Sequence, residues 1–249
     1  MRSRYPSSST LAYSFGPGPL TPAIKAIVIA NVVAFVVSLV LPAITLTLGL
    51  RPADIFGRLH VWQPVTYMFL HAGIFHILFN MLALWMFGVE LERMWGSRFF
   101  VKYYFVCGIG AAMTTMLLSF VPGSFGAQLY YSLTIGASGA IYGILLAYAL
   151  YFPNRPILLY FIFPVPAKYF VAIMGGISLL SSMSGPGGGI AHTTHLGGLV
   201  AGYLYLKGGR IHLLSEIKYR YLKWRINRVR RRFDVYSGGR ADDVNRRVH

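Results

Sequence analysis

Thr134-Ile135-Gly136-Ala137-Ser138-Gly139-Ala140-Ile141-Tyr142-Gly143 opens a long apolar run, and how this stretch is read decides how the rest of the chain is read. The run predicts a helix with Ser138 about one turn inside it and almost nothing charged nearby. Gly136, Ala137, Gly139 and Ala140 leave the hydroxyl uncovered and let a second helix backbone come close. A serine in an apolar helix commonly bonds to the carbonyl one turn back and then carries no chemistry. Any larger role must come from residues elsewhere in the chain.

Working outward, the composition excludes an ordinary soluble globule. Of 249 residues, 55% are hydrophobic and only 12% charged, against about a quarter charged in soluble chains. The charge is also segregated. Of 23 Lys and Arg, 13 fall between Lys207 and Arg247, so the net charge of +16 belongs mostly to the tail. Behind a series of apolar runs, such a tail fits an anionic membrane surface, and no nucleic-acid partner is expected. The single Cys107 excludes an intramolecular disulfide framework.

Six apolar stretches approach the roughly 20 residues that cross a bilayer: about 23–48, 71–89, 99–121, 133–152, 169–183 and 190–206. They lack the polar outer faces of a soluble bundle, and their internal Gly and Pro are commoner in membrane helices. The expected organisation is therefore a flexible leader over 1–22, an all-α membrane domain over 23–206 and a basic tail over 207–249. The leader is rich in Ser, Pro and Gly and has no acidic residue.

Orientation follows from the bias of Lys and Arg toward the cytoplasm. Arg2, Arg4 and Lys25, then Arg93, Arg98 and Lys102, then Arg155 and Lys168, and finally the tail all fall on one side. The other side carries only Arg51 and Arg58. Both termini are expected to be cytoplasmic, in a multi-pass protein of the plasma (inner) membrane. Residues 49–70, with Phe56, Trp62 and Phe69, predict a segment lying in the outer interface. Residues 153–168, with Pro153, Pro156, Pro164 and Pro166, predict an inner interfacial loop, because prolines so frequent break helices. In the tail, Tyr219, Leu222, Ile226, Val229, Phe233 and Tyr236 recur at three and four and make one apolar stripe flanked by basic residues. That pattern predicts an amphipathic helix on the anionic cytoplasmic leaflet.

Polar residues inside spans are costly and so mark function. Span two holds His71, His76 and Asn80; span four holds Ser138 and Tyr142; span six holds His192 and His195. All three spans run inward on this orientation, and each carries its polar residues within about its first three turns. Distant residues therefore share one depth, in the outer third of the bilayer. Gly139 and Gly143 on span four, and Gly198 and Gly202 on span six, have the spacing that lets membrane helices pack closely.

A serine becomes a nucleophile when a base takes its proton, and histidine is the usual base. Outside the tail the only acids are Asp54, Glu90 and Glu92, none at the right depth, so a Ser138–His195 dyad is expected rather than a triad. Tyr142, one turn after Ser138, can pack on the imidazole and orient it. His76 and Asn80 share a face and can donate to a developing oxyanion, together with the Ser138 N–H.

These residues resemble the rhomboid family of intramembrane serine proteases, over about residues 61–207. The resemblance rests on His71-Ala-Gly-Ile-Phe-His76-Ile-Leu-Phe-Asn80, Leu91-Glu92-Arg93-Met94-Trp95-Gly96-Ser97, Gly136-Ala137-Ser138-Gly139 with Tyr142, and Ala191-His192-Thr193-Thr194-His195-Leu196-Gly197-Gly198. It implies a six-transmembrane-helix bundle that cuts transmembrane protein substrates near the outer membrane face, with no cofactor and no metal. By position it makes Ser138 the nucleophile, His195 the base, and His76 and Asn80 the oxyanion donors. It makes His71 and Glu92 structural, gives Gly136 the role of leaving room at the nucleophile turn, and makes residues 49–70 a half-embedded first loop. The family commonly has Trp-Arg in that loop, where this chain has Trp62-Gln63.

Three other readings have distinct consequences. His192 rivals His195 as base. A non-catalytic rhomboid-like protein would bind membrane helices without cutting them. A metal or haem site would use His71, His76, His192 and His195, but no His-Glu-x-x-His motif is present and Ser138 would be left without a role. Oligomeric state is not readable from these residues.

Overall fold

The computed structural model describes residues 16–159, 163–183, 189–208, 223–226 and 228. It divides into two units, Met1–Leu206 and Lys207–His249. In the first unit the chain runs α1 (Pro22–Val40), α2 (Ile44–Leu48), α3 (Pro52–Arg58), α4 (Gln63–Thr66), a 3₁₀ turn (Tyr67–Phe69), α5 (Ile74–Trp95), α6 (Ser97–Leu118), α7 (Ser124–Tyr131) and α8 (Ser138–Tyr151). Strands β1 (Pro156–Leu159) and β2 (Phe163–Pro166) follow, then α9 (Ala167–Met183) and α10 (Gly189–Gly208). Among the described residues α1, α5 and α6 are long and apolar enough to cross a membrane, and α8 and α9 are shorter apolar helices.

The boundaries have local causes. The first apolar run breaks at Val40 rather than reaching 48, because Pro42 disfavours helical backbone before it and cannot donate within the helix. Gly96, at φ +78°, turns the chain between α5 and α6. The Glu92 carboxylate then ties this corner to the start of α1. It accepts from the Ala23 N–H at 2.9 Å, the Ile24 N–H at 3.0 Å, the Ser97 hydroxyl at 2.6 Å and the Thr21 hydroxyl. A helix start leaves N–H groups unpaired and attracts negative charge, so Glu92 caps α1 from a distant helix. Residues 16–21 of the leader are also held: the Trp85 indole donates to the Gly18 carbonyl and the Arg93 guanidinium to that of Pro17. Order thus begins earlier than a run of Pro and Gly suggests.

The core lies where α1, α5, α6 and α8 meet, around Ile24, Leu84, Phe100, Tyr103, Tyr104 and Ile144, all fully buried. The Tyr103 hydroxyl finds the Gly143 carbonyl at 2.7 Å, so a buried phenol keeps a partner. The outer side of α1 exposes Ile29, Val33, Val36, Leu39 and Val40, a face without a polar rim.

Two expectations need correction. Residues 153–168 are not a loop. β1 and β2 pair antiparallel from Pro156↔Pro166 to Leu159↔Phe163, and α9 has begun by Lys168. The prolines exclude a helix but are tolerated at the ends and edges of a two-stranded ribbon. The all-α description therefore gains one hairpin. In addition, Ser138 is the first residue of α8, not one turn inside it. In the second unit Lys223–Ile226 are helical, and the Arg228 guanidinium lies 5.1 Å from the Trp224 ring centre. The rest of the predicted tail stripe lies outside the described residues.

Candidate active site

Residues before Ser138 are held extended by a partner far away in sequence. Leu50 and Thr134 exchange N–H···O bonds of 2.9 and 2.8 Å, forming an isolated β-bridge. Gly136 follows at φ +127°, where a side chain is strained, and its N–H donates to the Tyr67 carbonyl at 2.9 Å. The helix cannot start until this turn is complete, which puts Ser138 at its first position. A Cβ on Gly136 would also stand 2.9 Å from Cε1 and Nε2 of His76. Glycine therefore keeps open the space between His76 and Ser138.

α10 brings His195 to the serine. His195 Nε2 lies 2.8 Å from Ser138 Oγ. The helices approach because their glycines interleave: a Cβ on Gly198 would fall into the Gly139 carbonyl, and one on Gly202 would stand 3.2 Å from the Gly143 Cα. Tyr142 stacks flat on His195, with ring centres 4.2 Å apart and planes within 9°. Its hydroxyl accepts a 3.1 Å bond from Ser178 of α9, a fully buried residue that no sequence pattern singled out. His192 sits edge-on to His195 at 5.6 Å, and it is His195 that bonds to Ser138.

On α5, His76 Nδ1 accepts from the Ala72 N–H at 3.3 Å, which leaves Nε2 to carry the proton on the side of Gly136 and Ser138. Asn80 is buried and spends one N–H on the His76 carbonyl at 2.7 Å, leaving its second amide hydrogen free of that bond. His71 is buried with its ring 4.9 Å from that of His76.

The three acids outside the tail are committed elsewhere. Asp54 pairs with Arg51 and Arg58, Glu90 with Arg155, and Glu92 caps α1. Among the described residues, His195 Nδ1 is buried without a hydrogen-bond partner, and no three His, Cys, Asp or Glu side chains gather as a metal set.

The first loop is fastened by Gln63, which is fully buried. Its Oε1 accepts from the Arg51 N–H at 3.0 Å, and its Nε2 donates to the Thr47 carbonyl at 3.3 Å. Trp62 Nε1 donates to the same carbonyl at 3.0 Å, and Thr66 to that of Leu48 at 2.6 Å. Gln63 thus brackets Leu50, the residue that pairs with Thr134. Tyr67 reaches from this loop to the Gly108 carbonyl of α6 at 2.7 Å. Burial pushes its phenol far above the usual range and keeps it a donor.

The rhomboid-domain family model matches residues 58–209. Curated proteins similar to the chain include "Rhomboid protein 1, mitochondrial" of Saccharomyces cerevisiae, 33% identical over 138 residues, or 55% of this chain and 38% of that protein. "Rhomboid protease GluP" of Bacillus subtilis is 31% identical over 157 residues, 62% and 27%. "Rhomboid protease AarA" of Providencia stuartii is 30% identical over 157 residues, 57% and 54%. The matched part spans roughly a quarter to a half of these relatives. A domain match covering more than half of the chain, with Ser138, His195 and the helices that carry them inside it, shows that the chain belongs to the rhomboid family.

Proposed function

We propose that this chain is an intramembrane serine endopeptidase in which Ser138 is the nucleophile and His195 its base. The observation that carries the reading is the 2.8 Å contact between His195 Nε2 and Ser138 Oγ, far from any carboxylate partner. Ser138 Oγ attacks the carbonyl carbon of a peptide bond while its proton passes to Nε2. The negative charge on the carbonyl oxygen is met by the Ser138 N–H at the start of α8, His76 Nε2–H and the free amide hydrogen of Asn80. The C–N bond then breaks, the departing amine takes the proton from Nε2, and an acyl-enzyme remains. Water, deprotonated by His195, frees the acid and restores Ser138. Tyr142 supplies the orientation that an aspartate gives in triads.

The proposed setting is a bundle of six spans, α1, α5, α6, α8, α9 and α10, over 23–206, with residues 49–70 half embedded in the outer leaflet. Both termini are cytoplasmic in the plasma (inner) membrane, the leader lies over 1–22, and the tail over 207–249 rests on the anionic leaflet. Arg155, just past the end of α8, pairs with Glu90 near the end of α5 at 2.5 Å, which supports His76 and Ser138 lying toward the same, opposite face. Substrates are single-pass protein helices that unwind near the outer face. A peptide bond must leave its helical hydrogen bonds to be cut.

Labelling by a serine-directed fluorophosphonate tests the reading. Wild type is expected to label, and Ser138→Ala and His195→Ala to lose nearly all of it; equal labelling of all three would overturn the assignment. Labelling of none, with substrate helices still captured, would favour a non-catalytic rhomboid-like protein. Stoichiometric zinc or iron in the purified protein would favour the metal or haem reading.

A further inference from the structure

A cavity of about 500 Å³ opens between α8, α9 and α10, away from the Ser138 site. Its walls are apolar, including Leu146, Leu150, Val171, Leu199 and Leu204, and its only charged lining residue is Lys168. The space persists because Gly175 and Gly176 stand side by side on α9. Glycine in a membrane helix ordinarily lets another helix approach. That reason fails here: a Cβ on Gly176 would meet nothing within 4 Å, and one on Gly175 would make only an ordinary 3.4 Å contact with Leu199.

Lys168 marks the mouth. It is exposed, and its ammonium lies 5.0 Å from the Tyr169 ring centre. Among the described ion pairs none involves Lys168, whereas nearby Arg155 is taken up by Glu90. A cation in the first turn of a helix opposes the helix dipole, so helix stability does not explain it. Tyr151 and Tyr169 are also exposed at this end, as aromatic side chains are at a bilayer interface.

We infer that this groove holds an acyl chain of one anionic phospholipid, whose phosphate pairs with Lys168. An apolar slot that ends in an ammonium outside every described ion pair, at interface depth, matches that amphiphile along its length. A second transmembrane helix would leave the ammonium unmatched. The inference rests on α8, α9 and α10 being spans, not on the dyad.

In the test, the full chain in detergent is titrated with phosphatidylglycerol or phosphatidylcholine of identical acyl chains, and retained lipids are counted by native mass spectrometry. Wild type is expected to retain one more phosphatidylglycerol than Gly176→Phe, in which the ring fills the groove. Lys168→Ala should need about fivefold more of that lipid for the same occupancy, and Lys168→Arg should restore it. Phosphatidylcholine, whose choline offsets the phosphate charge, should lose less occupancy in Lys168→Ala than phosphatidylglycerol does. The basic tail is the same in every variant, so lipid held there cancels in the comparison. Lys168 is exposed, so its variants report even where Gly176→Phe fails to fold. Equal phosphatidylglycerol retention by wild type and Lys168→Ala would overturn the inference. So would a wild-type dimer that Gly176→Phe dissociates without changing the lipid count. Release of the chain from membranes by alkaline carbonate would overturn the span reading as well. Loss of the protease reading leaves the expected lipid counts unchanged.

Discussion

Ser138 and His195 link α8 to α10 through their 2.8 Å contact, yet neither residue sets its own position. Tyr142 sets the plane of the imidazole by stacking at 4.2 Å, while its hydroxyl reaches Ser178. Removing the ring should therefore cost far more than removing the hydroxyl. Tyr142→Ala is expected to lower turnover about 100-fold through misplacement of the base, and Tyr142→Phe to keep most of it. Equal losses in a cleavage assay would mean that the Ser178 bond, not the stack, orients His195. Gly136→Ala must place a methyl against His76 at a φ of +127°. It should cost ~1–3 kcal/mol of stability and most fluorophosphonate labelling, read by thermal unfolding and gel fluorescence. That Ser138 and His195 would meet was legible in the sequence because a polar side chain in an apolar span has few innocent explanations. Ser178 was not legible, since Ser181 and Ser182 lie beside it and nothing local distinguishes the three.

The element that matters most to the site is the pairing of the first loop with the turn before α8. Gln63 brackets Leu50 by bonding to Thr47 and Arg51, and Leu50 holds Thr134 four residues before Ser138. Gln63→Leu leaves the half-buried Arg51 N–H without that acceptor and Thr47 with the Trp62 indole alone, at a cost of about 1 kcal/mol. Hydrogen exchange at the Leu50 and Thr134 amides should then quicken while the α5 core stays protected; unchanged exchange would show that the bridge stands without Gln63. This pairing explains why α8 starts later than the apolar run predicts. Apolar periodicity extends a helix back through 133, but a bridge to a residue 84 positions away and a positive-φ glycine stop it. The prolines of 153–168 likewise ruled out a helix correctly, but they could not distinguish a loop from a ribbon whose register depends on Pro156 meeting Pro166.

Over the whole membrane unit, two tethers hold helices that belong to different parts of the chain. Interleaved glycines join α8 to α10, and Glu92 joins the α5–α6 corner to α1. Glu92→Ala strips several donors of a buried carboxylate. It is expected to cost on the order of 3 kcal/mol, seen as a lower unfolding temperature in detergent, with residual activity below it. The long apolar helices α1, α5 and α6 were readable from the sequence, because a bilayer constrains sequence strongly. The cap on α1 was not, since it joins residues about 70 positions apart. In the proposed reaction Ser138 and His195 act as one unit on a transmembrane substrate. This is tested most directly by co-expressing a single-pass substrate with wild type, Ser138→Ala, His195→Ala and the double variant, and mapping the products by mass spectrometry. One cut near the outer boundary is expected for wild type, and losses in both single variants as deep as in the double. A cut that survives in Ser138→Ala would contradict it.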